Sequence, residues 1–169
     1  MNHKMFTNPR EYLETLVGQP MRYGIKSPGL DLYDFGFGEG EVLVVSEGKA
    51  KEKRLPPYIL HATCRFKVIW RNKKIVEIYD EEETKEEFAI DVQPMLGHRV
   101  KRVALSEKND LWLDFGDFWM VFVTDEVGDE YYREESWRFF HMFHEDDPHL
   151  IGSDQYLQFG DAFFKAGTV

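Results

Sequence analysis

With 169 residues the chain is long enough to bury roughly 70% of the surface its unfolded form would expose, so one domain spanning 1–169 around one core is expected. Its 31 acidic residues outweigh 21 basic ones, and the formal net charge of -10 repels duplex nucleic acid while attracting a basic protein partner. A single cysteine, Cys64, excludes an intrachain disulfide, and no apolar run reaches the length of a membrane-spanning helix; the expectation is a cytoplasmic protein with neither nucleic acid nor membrane among its partners.

The first segment, MNHKMFTNPREYLETL, lacks the apolar run of a signal peptide and reads as the approach to a helix. In NPREYLETLVG, Asn8 can cap, Pro9 fits the first helical position, Glu11 completes a capping box, and Gly18 supplies a left-handed stop before Pro20. Tyr12, Leu13, Leu16 and Val17 share one face, so a short amphipathic helix of about three turns is predicted. MRYGIK, LDLYDFGF and EVLVV then read as strands. The glycine-rich GFGEG at 36–40 lacks the lysine and the following helix of a phosphate loop and is read as a turn or bulge. SEGKAKEKRLPP is read as a charged loop ending in a proline pair.

The strongest signal is YILHATCRFKVIWR. Tyr58, Leu60, Ala62, Cys64, Phe66, Val68 and Trp70 are all apolar on one parity, while the other carries His61, Thr63, Arg65, Lys67 and Arg71. So long a strand is expected to bend or cross between two sheets before RNKK returns it into IVEIY. The acidic YDEEETKEEFAIDVQPMLG is either a solvated connection or a short helix ending near Pro94. In DLWLDFGDFWMVFVT, Gly116-Asp117 is a two-residue loop with glycine first, joining 111–115 to a strand apolar on both parities that should lie centrally in its sheet. RVKRVAL before it and SWRFFHMF after it are expected to complete a meander.

FHMFHEDDPH, residues 140–149, crowds three histidines and three carboxylates together. Imidazole with carboxylate suits zinc or manganese, and His144, Asp146 and His149 are the candidate metal ligands. Positions three apart in a strand point to opposite faces, however, so His141 and His144 would not converge, and a solvated hairpin loop is the favoured reading. The candidate binding residues are His61, Arg65 and Lys67 of the basic parity, together with Trp137; structurally the same ribbon is an outer strand face balanced by Glu77. Cys64, between Ala62 and Phe66, reads as a buried small hydrophobe and not as a nucleophile. The carboxylate runs are normally hydrated, no catalytic constellation stands out, and no cofactor is expected.

Leu60, His61, Cys64, Arg65 and Phe66, then ESWRFF at 135–140 and HLIGSD at 149–154, give a pattern that resembles a family of small uncharacterised bacterial proteins. Their hallmark is a Leu-His-x-x-Cys strand and a later Ser-Trp-Arg-Phe-like strand. Arg65-Phe66-Lys67 stands where the family pattern has Pro-Trp-Arg. The resemblance implies a shared fold and carries no catalytic residue with it.

The expected fold is α+β: mainly antiparallel sheet, eight to ten strands in a sandwich or open barrel, with an N-terminal helix packed on it. The expected function is a non-enzymatic interaction module, an acidic toxin-neutralising protein that binds a basic partner. The rival is a metal- or small-ligand-binding domain using 141–149 or an aromatic cavity, and a third reading is a homo-oligomer joined through exposed aromatic strands.

Overall fold

A computed structural model describes residues 6–27, 32–45, 52–72, 75–79, 83–124, 135–143 and 147–160. Within them the chain forms α1 (Pro9–Glu14), β1 (Met21–Lys26), β2 (Tyr33–Phe37), β3 (Val42–Val45), β4 (Glu52–Leu55), β5 (Tyr58–Ala62), β6 (Phe66–Trp70) and β7 (Ile75–Tyr79). After these come α2 (Lys85–Asp91), β8 (Arg102–Leu105), β9 (Leu111–Asp114), β10 (Phe118–Phe122), β11 (Trp137–His141), β12 (His149–Gly152) and β13 (Leu157–Gly160). All pairings are antiparallel: a six-stranded sheet in the order β1-β2-β5-β11-β12-β13, a five-stranded sheet β7-β6-β10-β9-β8, and a ribbon β3-β4. This is the α+β, sandwich-like architecture read from the sequence.

The thirteen strands (six, five and two) exceed the expected eight to ten. One reason is that the long alternating segment is two strands. β5 pairs with β2 and β11 in one sheet, and β6 pairs with β7 and β10 in the other. The corner between them is pinned by backbone bonds: Thr63 and Cys64 N–H donate to Ser136 O at 2.9 and 3.2 Å, and Val123 N–H donates to Arg65 O at 3.0 Å. The parity survives the corner, with Leu60, Ala62, Cys64, Phe66 and Val68 all buried. A second reason is β4, which forms within the predicted charged loop by pairing with β3.

Two further expectations change. The helix α1 is six residues long, with Asn8 Oδ1 accepting from Arg10 N at 3.0 Å; a turn then runs to Gly18, whose φ of +87° ends it. Tyr12, Leu13 and Leu16 are buried, but Val17 is 44% exposed because it lies past the last helical turn. β11 does not continue a meander from β10. Both edges of β10 are already paired, to β6 and β9, so the next strand crosses to the six-stranded sheet and pairs with β5. Of the two readings left open for the acidic run, the short helix is the one that forms over Lys85–Asp91: Thr84 Oγ1 accepts from Glu87 N at 3.2 Å while the Glu87 carboxylate accepts from Thr84 N at 2.9 Å, a reciprocal cap.

The core lies between the sheets. Phe35 of β2 packs edge-on against Phe66 and Phe122 of the opposite sheet, at centroid separations of 5.3 and 5.6 Å. The two helices close the open sides of the sandwich. Phe88 of α2 sits on Tyr33, Phe35, Phe66 and Tyr79, beside β1 and β7. α1 fills the other side, with Tyr12 against Phe139 and Phe159 and with Leu13 beside β8.

Candidate functional site

The histidine-rich segment begins and ends inside paired strands. His141 closes β11 and His149 opens β12, and the register that sets Phe139 opposite Leu150 places them on opposite faces of the sheet. They cannot share an ion. His149 is 4% exposed, stacked on Phe140 with ring centroids 4.2 Å apart and planes 5° from parallel, and its Nδ1 is 3.3 Å from Arg138 Nη1. Burial and the neighbouring guanidinium push its pKa down to about 3. His144 and Asp146 lie outside the described residues, so of the expected metal set only His149 is placed. Among the described residues no group of three His, Cys, Asp or Glu is arranged to hold a metal.

These two imidazoles are therefore not on a solvated rim, as the loop reading expected. β11 ends at His141, two residues short of the end of the SWRFFHMF segment, yet α1 covers that end through Tyr12, and His149 is held in β12 against Phe140.

His61, on the outward face of β5, has Nε2 3.4 Å from Asp34 Oδ1 of β2, and Tyr23 Oη donates to the same oxygen at 3.2 Å. Arg65 is exposed in the corner. Lys67 lies on β6, in the other sheet, between Ile78 and Val121. The basic ribbon is thus divided at the corner and His61 does not stand beside Lys67. Glu77 pairs with Val68 and is not the cross-strand neighbour of Lys67. Trp137 is fully buried on the inward face; its Nε1–H donates to Asn109 O at 2.9 Å, and its indole occupies the space over Gly152. A ligand could reach it only by opening the core. Cys64 is buried as well, its thiol pushed up to about 12 by desolvation.

The most distinctive exposed feature is α2, which sequence reasoning did not single out. Phe88 anchors the helix while Ile90, two positions on, is 71% exposed. Glu83, Glu87, Ile90 and Asp91 line a shallow open depression. Burial and the Asp91 charge push Glu83 up to about 7, against the opposing pull of Lys26. Lys26 Nζ donates to the Glu83 carbonyl oxygen, and Tyr33 Oη donates to Glu83 Oε2 at 3.4 Å. The result is an apolar knob ringed by crowded carboxylates. Thr84-x-x-Glu87 was the legible sign of the helix; nothing in the run indicated that Ile90 faces solvent.

Among the described residues no helix is long and apolar enough to cross a membrane. No family model matches the chain, and neither a curated protein nor a solved structure matches it.

Proposed function

We propose that this chain is a non-catalytic interaction module that binds a basic protein through the α2 face, acting in the cytoplasm to block a basic toxin or nuclease. The observation that carries the reading is Ile90, 71% exposed within a depression otherwise lined by Glu83, Glu87 and Asp91. The Asp91 and Glu87 charges, which add to burial in raising Glu83, are relieved by an incoming lysine or arginine. The isoleucine supplies the apolar contact that a purely electrostatic encounter lacks. The net charge of -10 adds long-range attraction for the same partner.

The test is titration calorimetry with basic proteins encoded beside this chain, at low and high salt. Salt-sensitive binding weakened about 10-fold or more by Ile90→Asp or by Glu87→Lys is the expected result. No association with any basic neighbour at low salt, or binding indifferent to both substitutions, would overturn it.

A further inference from the structure

The outward face of the five-stranded sheet has the opposite chemistry. Its register aligns Ile78, Lys67, Val121, Trp112 and Ala104 in one row across the five strands, and Val76, Ile69, Trp119, Asp114 and Arg102 in the next. Asp114 is the one carboxylate in these two rows, and it is already engaged. Its Oδ2 accepts from Arg71 Nη2 at 3.1 Å and from Arg102 Nη2 at 3.3 Å, while Oδ1 accepts from Gly116 N at 2.8 Å. The same two guanidiniums lie over the indole of Trp119, with their central carbons 4.9 and 5.0 Å from the ring centre. Trp112 meets Trp119 edge-on at 5.8 Å.

We propose that this face is a second docking surface, separate from α2, and that its occupant is an acidic segment of a protein partner. Charge complementarity selects the occupant. Lys67, Arg71 and Arg102 face outward with one carboxylate among them in these rows, and Val121, opposite Lys67 on β10, is apolar. Each guanidinium has N–H donors beyond the one given to Asp114, and the Arg71 and Arg102 side chains are 46% and 64% exposed. Stacking on Trp119 holds both arginines in place before binding, so less side-chain freedom is lost when a carboxylate arrives. Trp112, Trp119 and Ile69 are half-buried, leaving apolar surface between the cations. An acidic peptide alternates carboxylates with apolar side chains and matches that mixture. The charge of -10 opposes any anionic ligand, and it opposes a nucleic acid strand, with a charge at every phosphate, more strongly than a peptide whose carboxylates alternate with apolar residues.

The experiment is fluorescence anisotropy of the full chain with three labelled probes at low salt: a peptide of alternating glutamate and leucine, its lysine and leucine counterpart, and an oligothymidylate. Saturable binding of the glutamate peptide, tighter than the oligonucleotide and weakened about 10-fold by Arg71→Gln/Arg102→Gln but not by Glu87→Lys, supports the surface. Should the double variant lose its folded circular dichroism spectrum, Lys67→Glu decides, since it leaves Asp114 and both arginines intact; weakened binding supports the proposal and unchanged binding overturns it. Absence of glutamate-peptide binding, tighter binding of the oligonucleotide, or equal weakening by Glu87→Lys also overturns it. Because the α2 reading is scored with basic proteins and this one with an acidic probe, either can fail alone.

Discussion

Tyr12 and His141 hold each other by two independent contacts. Their rings stack with centroids 4.2 Å apart, and the Tyr12 hydroxyl accepts the His141 backbone N–H at 3.1 Å while donating to Pro148 O at 2.7 Å. One phenol oxygen thus joins α1 to the end of β11 and to Pro148, the residue before β12. Tyr12→Phe keeps the packing and removes that oxygen, leaving two backbone groups in need of partners. A loss of about 1–3 kcal/mol is expected, read as a lowered urea midpoint at unchanged slope. An unchanged midpoint would show that water replaces the hydroxyl.

His141 is buried against Tyr12 and Tyr58, with Nε2 2.9 Å from Thr15 Oγ1, and burial depresses its pKa from 6.5 to about 4. His149 is depressed to about 3. In both cases the folded state binds the proton less well than the unfolded chain. Their contribution is therefore complete above pH ~6.5 and is lost as pH falls towards 4, by on the order of 3 kcal/mol per histidine at most. NMR titration of the ring carbons should find both imidazoles neutral at pH 5; a midpoint near 6.5 for either would contradict the burial described.

Glu83 works in the other direction. A carboxyl raised from 4.5 to about 7 prefers its proton in the folded state, so the associated stability is present below pH ~4.5 and is lost as pH rises through 7. Glu83→Gln should raise the melting temperature at pH 8 and change it little at pH 4.5. A variant less stable than the parent at pH 8 would mean that the Lys26 attraction dominates.

Gly152 lies opposite Trp137, and a Cβ added there collides with the indole. Gly152→Ala should destabilise by about 1–3 kcal/mol and red-shift the tryptophan emission as the ring is displaced. Wild-type stability would mean the strand relaxes at no cost.

Cys64 is 4% exposed with its thiol raised to about 12. Alkylation at pH 8 should proceed only in denaturant, and stoichiometric labelling of the folded chain would place the corner open in solution.

The sequence disclosed whatever depends on neighbours close in the chain. Alternation from Tyr58 to Trp70 announced the inward face and its need to bend, and Gly116-Asp117 announced the β9–β10 hairpin, where Phe115 N–H donates to Phe118 O at 2.9 Å. Pairing between distant segments was not legible. Nothing in SWRFF says that β5 and not β10 is its neighbour, and so nothing said that Trp137 would be sealed in the core or that Arg138 would reach His149. α2 escaped the hydrophobic pattern because Phe88 alone secures it, while its remaining positions answer to solvent.

The corner at 63–65 has a dynamic consequence. A single uninterrupted segment supplies a strand to each layer, so shearing one layer past the other must first rupture the Ser136 and Val123 anchors. Amide exchange should consequently be slowest at Thr63, Cys64 and Val123 and fastest along the outer edges of β1 and β8, with fraying advancing from the periphery towards this hinge-free seam.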